Sequence, residues 1–309
     1  MARRRADRSS RADLPFDLDG TLFVLGKGGV GKSIVSEGLA SLASGAGLRT
    51  LLVRIGESLH LSDQKAVTPT PTRHGFDAVD LDPRTAMDEY VQHVVRLRPL
   101  VERITASDIY RKFFAAAPGL PELVLLGRIR AYSLETDRHK AKRWPTIIVY
   151  CPSSGHGLLM LETPFAAFRA VSIGPFARLA FHIMDWLKTQ ARMALVAIPE
   201  EMAVVEAVEF KKDLLERTGL SPALAFLNRM RQETISLAAR QAIVEVEATP
   251  GSSDRLLLDC AARVQRKMRL EAFHRRRLAK GLSLSPIIIG ELPNCRPATV
   301  AAALSGGSQ

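Results

Sequence analysis

The sequence predicts an α/β fold in which a mostly parallel sheet is covered by helices on both faces. Three observations lead there. Short, nearly continuous apolar runs recur along the chain, as strands buried on both faces require. Segments with helical spacing lie between them, the alternation expected of strand–helix–strand units. The 309 residues are 47% hydrophobic and 24% charged, which suits a large packed core and excludes a disordered chain.

The first run, Gly20–Gly26, ends in glycine-rich sequence and reads as a buried strand. Ser33–Ala43 follows with Ile34, Val35, Leu39 and Leu42 near helical spacing, and Ser44-Gly45-Ala46-Gly47 stops it. Arg49–Ile55 reads as a second strand, and Ser62–Gly75, with Pro69 and Pro71, as an irregular loop. Further strands are expected at Thr146–Cys151, Met193–Ile198, Ala223–Leu227 and Pro286–Gly290. Residues 82–140 are too long and too helical for one crossover and read as a helical insertion. The expected organisation is a basic flexible tail over 1–19, one domain over 20–298 carrying that insertion, and a flexible tail over 299–309.

The longest stretch free of charge, Trp144–Leu161, is broken by Pro152-Ser153-Ser154-Gly155, so it is not a membrane span. No apolar signal core follows the arginines at the start, and a cytoplasmic protein is expected, with peripheral membrane attachment as a variant. Cys151, Cys260 and Cys295 are too scattered for a disulfide framework or a local metal site, and Cys151 reads as a core residue.

The net charge of +11 is concentrated. Residues 1–13 hold five arginines against two aspartates, and residues 255–280 hold nine Arg or Lys against one Asp and one Glu. Either these are a solvated tail and helix face, or they form a surface for lipid, nucleic acid or an acidic partner. Phe273 alone interleaves the second run, which weighs against a stacking platform for nucleic acid.

The sharpest signal is Gly26-Lys27-Gly28-Gly29-Val30-Gly31-Lys32-Ser33, a G-x-x-x-x-G-K-S loop between a strand and a helix. Glycines let backbone N–H groups curl round phosphate oxygens, and the helix N-terminus favours negative charge. Lys32 would reach the β- and γ-phosphates of ATP and the Ser33 hydroxyl would bind Mg²⁺. This arrangement predicts a P-loop NTPase.

The second lysine, Lys27, makes the loop KGGVGKS and resembles the deviant phosphate loop of the ParA, MinD, ArsA and nitrogenase-iron-protein superclass. Gly155-His156-Gly157 through Glu162-Thr163-Pro164 resembles the switch of ArsA-type ATPases, the group of the arsenite pump and the tail-anchored-protein targeting factor. Asp82-Pro83 with Glu89-Tyr90, Pro118-Gly119 with Glu122-Leu123, and Gly174-Pro175 resemble a bacterial branch whose members often occur as paired, non-identical subunits, while Pro199-Glu200-Glu201 with Glu206, then Asn228, resemble the family's following strand ends. The resemblance implies that Lys27 reaches a partner's ATP across a dimer, and that the partner is a homologous subunit, identical or not. It also implies that Asn228 and Pro293 line the adenine site. Read without it, Asn228 is a strand-end cap and Pro293 a turn proline. His156 is either a switch residue or a structural histidine.

Two positions depart from the resemblance. Tyr150 stands where the family's switch loop begins with an Mg²⁺-ordering Asp, and Arg54-Ile55-Gly56-Glu57 stands where an S-T-D-P segment would position the attacking water. Glu57 is either a substitute carboxylate or a solvated loop residue. The expectation is therefore ATP binding with weak or partner-dependent hydrolysis. The alternatives are a pseudo-ATPase scaffold and a ParA- or MinD-like positioning ATPase on nucleoid or membrane.

Overall fold

A computed structural model describes residues 14–56, 68–95, 98–108, 110, 117–170, 173–231, 241 and 255–306. Eight strands form one sheet: β1 (Gly20–Leu25), β2 (Thr50–Ile55), β3 (Thr70–Pro71), β4 (Asp77–Leu81), β5 (Thr146–Tyr150), β6 (Ala191–Ala197), β7 (Leu224–Met230) and β8 (Ile287–Gly290). Their order is β3-β4-β2-β5-β1-β6-β7-β8, parallel throughout except for the short β3 pairing with β4. The fold is thus the mostly parallel α/β type that the strand–helix alternation predicts, and the loop that predicts a P-loop NTPase joins its first strand to its first helix. The helices are α1 (Lys32–Gly45), α2 (Pro83–Val95), α3 (Arg98–Thr105), α4 (Leu120–Leu134), α5 (Ser154–Ala170), α6 (Pro175–Thr189), α7 (Glu201–Thr218), α8 (Arg255–Leu282) and α9 (Pro297–Gly306).

Period-two alternation decides which core each strand residue joins. In β1, Leu22 and Val24 face one layer while Phe23 and Leu25 face the other. The first layer is closed by α1 and α9 through Val35, Leu39, Ala43, Val300 and Leu304. The second is closed by residues of α2 to α8, from Met87 and Leu126 to Trp186, Leu214 and Leu278. The helices of the expected insertion therefore share a core with the strands, and the segment after α4 leaves the helical pattern for a bridge between Thr136 and Lys142.

β1 lies between β5 and β6, with β2 beyond β5, so successive connections leave β1 towards opposite edges of the sheet. In open α/β sheets the crevice at such a switch point, outside the carboxyl ends of the strands, is where ligands bind. The loop 26–31 occupies it.

Three expectations are corrected. β3 and β4 lie where a loop and an unassigned segment stood; Asp77 and Asp80 dilute the apolar run Ala78-Val79-Leu81 that marks β4. The expected C-terminal flexible tail is helical over 299–306, with Val300 and Leu304 fully buried against α1. The expected N-terminal tail is anchored from residue 14. Leu18 is buried, the Phe16 ring meets Phe226 edge-on at 5.8 Å, and Arg192 holds Asp17 at 3.2 Å. Residues 1–13 lie outside the described residues.

The α1–α9 contact depends on Gly38. A Cβ there would stand 2.3 Å from Val300 Cγ1 and 2.7 Å from its Cβ. Gly38→Ala gains about 1 kcal/mol of helix propensity but overpacks the contact by about 1–3 kcal/mol. Val300→Ala leaves a void beside the glycine. The double variant Gly38→Ala/Val300→Ala is expected to be more stable than the sum of its parts, because each change relieves the other. Urea unfolding of the four proteins checks this, and strict additivity would show that α9 does not dock as described.

Candidate nucleotide site

Backbone proximity dictates the loop sequence. Gly26 leaves β1 at φ +149°, and a Cβ there would lie 2.4 Å from the Val196 carbonyl oxygen on β6. Gly31, at φ +92°, ends the loop and caps α1; its Cβ would lie 2.3 Å from Asn228 Nδ2 on β7. Neither position admits a side chain, so the loop passes close over β6 and β7 before it opens the N-terminus of a 14-residue helix.

Asn228 holds this geometry. Its buried side-chain amide donates to the Val30 carbonyl at 2.9 Å, joining β7 to the crest of the loop. Its Oδ1 accepts no hydrogen bond among the described residues. Lys32 is 4% exposed; its Nζ donates to the Lys27 carbonyl at 3.0 Å and lies 5.9 Å from the centroid of the Tyr150 ring. Ser33 is exposed in the first turn of α1. Pro293 is exposed in the connection from β8 to α9.

Lys27 does not stand clear of its own chain. Its ammonium pairs with the Glu206 carboxylate of α7 at 2.5 Å, with both side chains partly exposed. No spacing rule joins residues 179 apart, so the pairing was not legible in the sequence.

The strand ends beside the loop carry Tyr150 on β5 and Arg54 on β2, which are register partners. Arg54 is held in two contacts by Asp80 of β4, Nε to Oδ1 at 2.6 Å and Nη2 to Oδ2 at 3.2 Å. That bond raises the Arg54 pKa, and Asp80 is thereby committed to a guanidinium. His156 is exposed in the first turn of α5, whose start lies tight on β1: a Cβ at Gly157 would be 3.0 Å from Leu25 Cδ2. Glu57 lies outside the described residues. Burial pushes the Cys151 thiol pKa up, so it is an inert core group.

The site fits a triphosphate: the helix N-terminus follows a loop whose Gly28 and Gly29 have open space around them, and the buried Lys32 stands at the first helical position. Among the described residues no cluster of three His, Cys, Asp or Glu could hold a metal ion by itself.

Residues 20–219 match the family model described as anion-transporting ATPase, ArsA type. The chain belongs to the ArsA ATPase family. It is 24% identical over 252 residues to an arsenical pump-driving ATPase of Escherichia coli, covering 76% of this chain and 40% of that protein. It is 31% identical over 163 residues to Protein Rv2184c of Mycobacterium tuberculosis, covering 47% of this chain and 37% of the relative. With ATPase BagA of the same organism the identity is 25% over 204 residues, 62% of this chain and 60% of the relative. The chain thus spans less than two thirds of the length of each of these proteins.

Within this ArsA-family site, Asn228 is the position where two roles can be separated. Asn228→Asp places an acceptor-only carboxylate against the Val30 carbonyl in place of a donor. If the residue braces the loop as the geometry shows, the nucleotide-free protein loses about 1–3 kcal/mol of stability. A purely adenine-binding side chain would leave that stability unchanged. Denaturant unfolding without nucleotide distinguishes the two.

Proposed function

We propose that this chain is an ATP-binding switch subunit of the ArsA family, working face to face with a homologous subunit and hydrolysing ATP slowly or only with that partner. The observation that carries the reading is the loop itself, in which Gly26 and Gly31 are excluded from bearing side chains by neighbouring strands and Lys32 is buried beneath the crest. Lys32 would neutralise the β- and γ-phosphates and Ser33 would take one position on Mg²⁺, while Gly28, Gly29 and Val30 present backbone N–H groups. With its Nδ2 spent on Val30, Asn228 would offer Oδ1 to the adenine amino group, and Pro293 would close that pocket.

Lys27 repeats no phosphate contact that Lys32 lacks, and its charge suits a partner's nucleotide. The Glu206 pair would then hold Lys27 within its own subunit until association draws it across. A cation meeting a phosphate in a desolvated interface contributes far more than one at an exposed surface.

Tyr150 supplies no carboxylate to the metal shell, and Asp80 is occupied by Arg54; these observations support slow turnover and favour a scaffold-like subunit as the second reading. We read 20–298 as one ATPase domain with 82–140 inserted. Its setting is cytoplasmic, and among the described residues no helix is long and apolar enough to cross a membrane. The basic face of α8, with Leu270 and Phe273 exposed among its arginines, supports contact with an anionic partner, either lipid or nucleic acid.

Two measurements test the reading. Mg·ATP at about 100 times its Kd should add about 2.7 kcal/mol of stability, and Lys32→Ala should remove the shift. An unchanged melting temperature at millimolar ATP would refute nucleotide binding. In sedimentation, Mg·ATP should produce dimers of the chain alone or with its homologue. Lys27→Ala should weaken this association while leaving ATP affinity nearly unchanged. A monomer in every condition refutes the assembly.

A further inference from the structure

Glu122 stands in the first turn of α4, behind the left-handed cap Gly119 and the helix-starting Pro121. It is 8% exposed, and its buried Oε2 accepts no hydrogen bond among the described residues. Buried carboxylates without partners are costly and rare, and one that persists calls for a reason. The helix N-terminus lowers the cost of its charge but makes no bond to Oε2.

The reason lies in what Glu122 borders. A cavity of about 20 Å³ is lined by Glu122 and Leu125 of α4, His156 and Met160 of α5, Ile55-Gly56 at the end of β2 and Pro152 just past the end of β5. That is room for one water molecule, with Glu122 and His156 as the polar residues of an otherwise apolar lining. The cavity sits at the carboxyl ends of β2 and β5, the end of the sheet at which the loop 26–31 leaves β1. Tyr150, whose ring centroid is 5.9 Å from Lys32 Nζ, is the register partner of Arg54, and Pro152 and Gly56 each follow two residues further along. Among the described residues neither strand end brings a carboxylate there: β2 is described as far as Ile55-Gly56, and β5 runs out in Tyr150-Cys151-Pro152.

Phosphoryl transfer leaves the protein little to do beyond neutralising charge and orienting the nucleophile. We propose that Glu122, supplied from α4, is a carboxylate that orients the attacking water. The inference rests on the ATPase reading above. The water oxygen bonds to the γ-phosphorus as the bond from that phosphorus to the β–γ bridging oxygen breaks. ADP departs with the electron pair, and the water's proton passes to the Glu122 carboxylate and on to the released phosphate. His156, which lines the same cavity, would fix the water's second hydrogen bond, which makes it a positioning residue for the same step.

The test uses the full chain, alone and with its homologous subunit, in single turnover with radiolabelled Mg·ATP. Glu122→Gln keeps the shape and removes the basic oxygen. Its melting temperature should equal or exceed that of the parent, since an unpaired buried charge is removed, and ATP affinity should hold within about twofold. The rate of phosphate release should fall about 10²-fold or more, the usual scale of a lost general base. The double variant Gly56→Asp/Glu122→Gln returns a carboxylate to the same cavity from β2 and should recover a large part of the rate. That rescue would not follow if Glu122 were only structural. Wild-type rates in Glu122→Gln, a joint loss of stability and ATP binding, or failure of the rescue would each overturn the assignment. Parent protein that binds ATP and never turns it over overturns it too. Parent protein that does not bind ATP refutes the ATPase reading itself.

Discussion

The backbone joining β1 to α1 runs in contact with two other strands. A side chain at Gly26 would strike the Val196 carbonyl on β6, and one at Gly31 would strike the Asn228 amide on β7. That closeness sets where the first helix begins, so its N-terminus lies where the strand order diverges. The buried Lys32, the hydrogen bond from Asn228 to Val30 and the exposure of Ser33 all follow from it. The rest of the sheet and both helical layers keep β1, β6 and β7 in register beneath the loop.

Beside this strict geometry the electrostatics are loosely committed. Arg54 and Asp80 satisfy each other across adjacent strands, and Lys27 and Glu206 do so between the loop and α7. Both pairs are partly exposed, where an ion pair contributes little to stability and is cheaply exchanged. Rigid backbone with exchangeable charges suits a site that binds a polyanion and then changes partners.

The sequence made the rigid part legible because it is local. An eight-residue motif between an apolar run and a helical pattern specifies strand, loop and helix at once, and the apolar runs at 146–151, 193–198 and 223–227 mark the strands around it. What stayed hidden depends on contacts distant in the chain. β4 carries Asp77 and Asp80 because Trp144 and Arg54 bind them, and those partners are unreadable from a single run. α9 is rich in alanine and ends in glycines, a composition that resembles a loose end until Val300 is seen against Gly38. Lys27 and Glu206, or Glu122 and the end of β2, meet only once the sheet exists.

The stretch that identifies the family ends at residue 219, the cap of α7, whereas part of what steadies the phosphate loop lies beyond it. Asn228 comes from β7, and α9 covers the outer side of α1. An excised fragment bounded by the shared homology would carry the whole signature motif and still lose its brace and the lid over its first helix. In this chain the identifying segment is shorter than the scaffolding it needs, so fragments and fusions designed from family boundaries would sever the loop from its supports.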